Sequence, residues 1–407
     1  VESLSSNSPR LYPIDPGDSK QKETISLREG ERRSALYWAA FLLALVVYWM
    51  TAVMDDPYDH GEHILQAWQW LHGSLNVDGY SIHETALFQG HRYILHPPLA
   101  AVVDLPYVAI FGPARQIVVS ILVGAFCVAL VWKLTKSWWL TCFFAFGTVF
   151  FYEVTLGAPW GFVLVLSCAP TLLALNELEG KCRPLWIGVW AGVAALARYD
   201  LVAVFPVYLL LFAGRKQPPS HHTPGGILKM LPGFVFAGVV YVLYARLRYG
   251  TFTDISLWLW YQQEESGAAA HPGLGPFSIH YLPMNIFTAL FLAPNYSPVF
   301  PWVRPTIAGQ SLLLTSPGFL LAFRAPWRER ETWLLWLAVV LSLGGCMFVY
   351  SNGVQQLGCR YWIIATPFLI LLMRRGWEND QLSKVLLIAS ILLVASGLAT
   401  IRLIGWG

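Results

Sequence analysis

The sequence predicts an all-α polytopic membrane protein, and three observations carry that expectation. Hydrophobic residues make up 56% of the 407-residue chain and charged residues only 13%, about half the ~25% usual in soluble domains. Mean hydropathy is +0.51. Apolar stretches long enough to cross ~30 Å of hydrocarbon recur along the whole length. The net charge of +3 is small and no basic stripe is present, so membrane lipids are expected as partners and nucleic acid is not.

The elements follow in order. Residues 1–35 are polar, with Ser, Pro and mixed charge. They are expected to form a disordered cytoplasmic tail, with 36–407 a single membrane-embedded domain. Apolar segments then lie near 36–53, 97–112, 115–132, 138–152, 158–176, 184–197, 199–213, 226–247, 305–323, 331–350, 361–373 and 384–404. They predict about 10–12 transmembrane or re-entrant helices. Two polar connections, 55–96 and 248–304, interrupt them, and no internal repeat is evident. The six Cys sit mostly inside apolar runs without CxxC spacing and read as small buried hydrophobes.

Lys/Arg bias in short loops sets orientation. "EGERR", "KLTK", "EGKCR", "GRK", "RAPWRERE" and "RRGWENDQLSK" are expected on the cytoplasmic side of a plasma membrane. Loops 55–96 and 248–304 and the "GCRY" turn then share the extracytoplasmic face. The parity holds if "PPLAAVVDLPYVAIFGP" is re-entrant or interfacial.

Loop 55–96 holds six acids (Asp55, Asp56, Asp59, Glu62, Asp78, Glu84), six of the ten His, and Arg92. Asp55 and Asp56 leave the first apolar run directly, where ionisable groups are costly and functional by default. Asp56 also has a structural role open to it, as cap of a helix with Pro57 in its first turn. That helix carries Ile64, Leu65, Trp68 and Leu71 at helical spacing and reads as amphipathic, lying on the membrane surface. His60 and His63, at i and i+3 beside Glu62, could hold a divalent metal; no second cluster of matching spacing completes a site, which leaves His83–Glu84 or His91 to do so through the fold. Arg198, Arg248 and Arg360 are expected on the same face, where guanidinium groups suit capture of a phosphate. Asp200 is the local partner for Arg198. A carboxylate base beside phosphate-binding arginines fits sugar transfer from a lipid phosphate to an acceptor hydroxyl.

With "MDDPYDHG", "QGHRYILHPPLAAV", "GVAALARYDLV", "GQSLLLTSPGFLLAF" and "QLGCRYWIIATPFL", the chain resembles the GT-C superfamily of membrane glycosyltransferases. These include protein O-mannosyltransferases, aminoarabinose transferases and lipid mannosyltransferases. The resemblance spans most of residues 36–375 in short motifs. It implies a GT-C-like fold, a polyprenyl-phosphate-sugar donor, inverting transfer to a lipid, glycan or protein acceptor, and no required metal cofactor. It implies that Asp55 or Asp56 is the base, with Asp55 preferred because Asp56 precedes Pro57. His96 of "HPPL" would lie near the acceptor or donor phosphate, and Arg360 would contact the phosphate. Acceptor and sugar recognition is expected from the two long loops, through Tyr58, Glu62, Glu84, Arg92, Trp258 and Trp260. The competing expectation is a transporter or lipid flippase with Arg198 and Asp200 lining a pathway.

Overall fold

The structure is a computed structural model, and it describes residues 16–53, 61–80, 84–215, 224–263, 271–351 and 353–405. It is predominantly helical. The helices run in chain order as α1 (Pro16–Met50), α2 (Glu62–Leu71), α3 (Leu99–Phe111), α4 (Gln116–Thr135), α5 (Trp138–Phe146), α6 (Val149–Leu156), α7 (Pro159–Glu179), α8 (Pro184–Ala197) and α9 (Phe205–Ala213). They continue as α10 (Pro224–Leu228), α11 (Leu231–Tyr249), α12 (Ser256–Gln263), α13 (Leu282–Leu290), α14 (Leu312–Thr315), α15 (Arg330–Met347), α16 (Thr366–Arg375) and α17 (Gln381–Ile404). Two small antiparallel ribbons, β1 (Thr85–Phe88) with β2 (His91–Ile94) and β3 (Asn295–Tyr296) with β4 (Val303–Arg304), qualify the all-α expectation.

Among the described residues, four helical stretches are long and apolar enough to cross a membrane: α4, α7, Gly225–Tyr249 and α17. The pair α5 and α6, bent by 52°, makes a fifth if it counts as one span. This is a membrane protein, with fewer full-length spans than the apolar segments suggest. Segments 184–197 and 199–213 yield helices of 14 and 9 residues. Segment 138–152 breaks at Gly147, where Thr148 caps α6 through a bond from Phe150 N–H. Segment 305–323 is not a span at all. It becomes the short α14 and a 3-10 turn, Pro317–Arg324, because Ser311 caps one end of α14 and Pro317 starts the next turn. The 13-residue α3 rises only about 20 Å and packs against α2, with Ile64 and Ala67 buried on Ala101 and Val108.

Helix α1 begins inside the polar stretch 1–35, so its second half is helical from Pro16; the first fifteen positions lie outside the described residues. Ala40, Ala44 and Tyr48, four residues apart, are buried, and the Tyr48 hydroxyl donates to Ala145 O at 3.0 Å. Helix α7 runs through the core. Helices α8 and α11 cross at van der Waals contact of their backbones. A Cβ on Gly188 would stand 2.0 Å from Met230 O, and one on Gly192 would stand 2.4 Å from Gly233 O, the spacing of small residues that lets membrane helices approach closely.

Ion pairs gather the basic clusters at one end of the bundle. Glu179, closing α7, meets Arg215 and Arg374; Glu331 meets Arg375; Arg324 meets Asp380 at 2.6 Å. At the other end, the guanidinium of Arg360 lies 5.5 Å from the ring of Trp160 in the first turn of α7. Since α7 has 21 residues, about 30 Å separates the two ends.

Candidate active site

The site is built at the Trp160 end from both long loops and the "GCRY" turn. In the first loop the chain folds as a hairpin. Thr85 faces Ile94 and Phe88 faces His91, and the turn residues Gln89 and Gly90 both have positive φ (52° and 87°), the pairing of a type I′ turn. Helix α12 docks on β1 through one side chain: Gln263 accepts from Leu87 N–H at 3.0 Å and donates to Leu87 O at 2.9 Å.

Arg248 holds the second loop to the first. It donates to Ile94 O at 2.8 Å and to Asp254 Oδ2 at 2.6 Å, while its guanidinium lies 3.7 Å from the Tyr244 ring centre. Asp254 Oδ1 accepts from Ser256 N–H at 2.9 Å, which starts α12. These elements enclose a cavity of about 400 Å³. Seven residues singled out from the sequence line it: Glu84, His96, Arg198, Asp200, Trp258, Trp260 and Arg360.

Others lie elsewhere. Arg248 is buried and ion-paired with Asp254, although its Nε has no hydrogen-bond partner, and it does not line the cavity, away from its expected place at the donor phosphate. Arg92 is on the hairpin, with Nη1 donating to Thr85 Oγ1 at 3.2 Å, and does not line the cavity either. Asp55, Asp56, Tyr58 and His60 lie outside the described residues. The neighbouring Val53 is fixed by its N–H to Thr155 O at 2.9 Å.

Arg198 ends α8 and donates from Nη2 to Asp200 Oδ2 at 2.5 Å, the partner expected from the sequence. Arg360 differs. It is buried, its Nη1 reaches only Val354 O at 3.2 Å, and its Nε, like that of Arg198, has no partner. What sets it apart is the lack of an acidic partner: among the described residues no carboxylate comes within salt-bridge distance of it. A guanidinium that is charged, desolvated and unpaired at a cavity wall is a ready anion receptor.

Glu84 and His96 line the same cavity. Glu84 Oε2 and His96 Nε2 are 2.7 Å apart. Glu62 Oε1 accepts from Glu84 N–H at 3.0 Å, and Glu62 Oε2 is buried without a partner. Burial first, then the neighbouring Glu84 carboxyl, pushes the Glu62 carboxyl well above the usual carboxylate range. The His63 ring lies 5.1 Å from that of His96; burial, then His96, pushes its pKa down to about 3. Helix α2 therefore turns Glu62, His63 and Gln66 inward with Ile64 and Ala67, and Leu71 is exposed. That corrects the expected surface orientation of its apolar stripe. The inward polar residues have an interior to meet, including Tyr244, whose hydroxyl accepts from Gln66 Nε2 at 2.6 Å.

The sequence reading missed Asp254 and Tyr350, which line the cavity, and Glu153. Glu153 is wholly buried in α6, neither of its oxygens has a partner, and it lies within electrostatic reach of Arg360. Its signal was visible as the lone acid of the apolar run "FFYEVTL".

Comparison with family models, with curated proteins and with solved structures finds no match to this chain.

Proposed function

We propose that this membrane protein is an inverting glycosyltransferase of the GT-C type, using a polyprenyl-phosphate-linked sugar as donor. The observation that carries the reading is Arg360: a buried, unpaired guanidinium lining a cavity that also presents Glu84, His96 and two tryptophans. The donor phosphate binds Arg360, with Arg198 on the same wall. The sugar lies against Trp258 and Trp260. An acceptor hydroxyl attacks the anomeric carbon, a carboxylate removes its proton, and the bond from that carbon to the phosphate oxygen breaks. Polyprenyl phosphate leaves with its charge held by Arg360. Asp55 or Asp56 is the base that the resemblance implies. The arginine-rich end opposite the cavity supports a plasma-membrane orientation with the cavity extracytoplasmic.

The test is transfer of radiolabelled sugar by protein in lipid, comparing wild type with Asp55→Asn and Asp56→Asn. The reading expects at least one variant to fold normally and lose transfer; full activity in both excludes the base assignment. The break between α8 and α9 at the Arg198–Asp200 pair favours a second reading, a transporter whose interrupted helix lines a pathway. Accumulation of a substrate in vesicles with no covalent product would support it.

A further inference from the structure

We propose that Glu62, Glu84 and His96 form a binding site for a divalent transition-metal ion of the Mn2+ or Zn2+ class. The proposal rests on the transferase reading only for the role of the ion, which is to receive a phosphate oxygen of the donor opposite Arg360.

One carboxylate oxygen from each Glu and one imidazole nitrogen of His96 all lie within 4.8 Å of one another. Bonds of about 2.1 Å in tetrahedral geometry need ligand atoms about 3.4 Å apart, so an ion would draw the widest-spaced ligands together by little more than ~1 Å and replace the 2.7 Å Glu84–His96 hydrogen bond, which opens by under ~1 Å. Two carboxylates and one imidazole suit Mn2+ or Zn2+ and not a thiolate-seeking ion. Three protein ligands leave a coordination position open, as sites that engage a substrate do.

The three residues are held by separate elements. Glu62 starts α2. Glu84 enters the hairpin, where its carbonyl accepts from Leu95 N–H at 3.3 Å, and His96 lies just beyond the end of β2. The bond from Glu84 N–H to Glu62 Oε1 orients the first carboxylate, the kind of support that ligands of a metal commonly have.

The second oxygen of Glu62 makes the argument independent of proximity alone. Glu62 is 6% exposed, and its Oε2 is enclosed with no hydrogen-bond partner. Among the described residues no Lys or Arg forms an ion pair with it. Burying such an oxygen without a partner is costly, and a cation bound to it would offset the cost. Glu84 and His96 also line the cavity, which gives an ion a route in and a substrate to meet. The ligand set differs from the sequence-derived His60 and His63 pair, because α2 places Glu62, and not His63, in the convergent group.

The experiment is a Mn2+ titration of the chelator-stripped full chain in lipid nanodiscs, read by electron paramagnetic resonance with no donor present. Wild type is expected to bind about one Mn2+ per chain and release it to Zn2+. Glu62→Gln and His96→Gln are each expected to weaken binding about tenfold or more. Glu62→Gln keeps the acceptor for Glu84 N–H. Asp78→Asn, which alters the separate Asp78–His91 pair at 2.6 Å on the exposed hairpin, is expected to bind as wild type. Absence of binding of either ion by wild type overturns the proposal, as does unchanged binding in both Glu62→Gln and His96→Gln. Because no sugar transfer is measured, Mn2+ binding without transferase activity counts against the proposed function alone.

Discussion

Arg248 and Asp254 form an ion pair, with Nη2 and Oδ2 2.6 Å apart and the arginine side chain 0% exposed. This pair is a structural joint between α11, the hairpin and α12, and removing one partner leaves a buried charge without compensation. Arg248→Ala is expected to destabilise the fold by about 3–5 kcal/mol. Thermal unfolding in detergent, followed through tryptophan fluorescence, checks this. An unchanged midpoint would contradict the joint.

Gly353 sets the position of Arg360. Its φ is +81°, and a Cβ there would stand 2.9 Å from both Cζ and Nη2 of the guanidinium. Gly353→Ala thus adds backbone strain and displaces the anion receptor. Transfer is expected to fall about tenfold, a loss of ~1.4 kcal/mol of transition-state stabilisation, with overall folding retained. Donor titrations of initial rate would reveal whether binding carries the loss.

The α8–α11 crossing admits no side chain at Gly192, because the nearest obstacle is the backbone oxygen of Gly233 at 2.4 Å. Gly192→Val is expected to cost about 1–3 kcal/mol through forced separation of the helices. Gly238→Ala is the control on α11, since a Cβ there meets nothing within 4 Å. Equal unfolding midpoints for the two variants would refute the close crossing.

Asp380 caps α17 and couples stability to acid pH. Its carboxylate accepts from Ser383 N–H at 2.6 Å and from Arg324 Nη1 at 2.6 Å. These bonds, the backbone one foremost, hold its pKa down at about 2, from 3.8. A depressed folded pKa means stability that is fully present above pH 3.8 and lost as pH falls towards 2. Asp380→Asn is expected to lower the unfolding midpoint at neutral pH and to flatten its decline across that window. Parallel pH curves for variant and wild type would show that the cap contributes no linkage.

Much of this arrangement was legible in the sequence because its physics is local. Charge bias grouped the basic clusters, and the structure joins several of them through Glu179 and Glu331. Uninterrupted apolar runs marked α4, α7 and α17. Arginines on the expected outer face led to Arg198 and Arg360, the acids of the first long loop to Glu84, and the family resemblance to His96; all four line one cavity. Features that depend on distant partners were hidden. Arg248 read like any other arginine on its face until Asp254, Ile94 and Tyr244 were placed around it. The inward turn of Glu62 needs the hairpin that brings Glu84 beside it. The hairpin itself had a readable signal in Gln89–Gly90, a pair suited to a tight turn, but a loop crowded with acids and histidines drew attention to its chemistry. Segment 305–323 looked apolar enough to span, and the local capping at Ser311 and the restart at Pro317 decided otherwise.

The most direct test of the central claim is transfer from a panel of radiolabelled polyprenyl-phosphate sugars by the purified chain in lipid, comparing wild type with Arg360→Gln. The account predicts that one donor is productive with wild type, and that Arg360→Gln folds normally but transfers about 100-fold more slowly, as expected for loss of a charge-stabilising group. Full transfer by Arg360→Gln, or neither binding nor transfer of any donor by folded wild type, would contradict it.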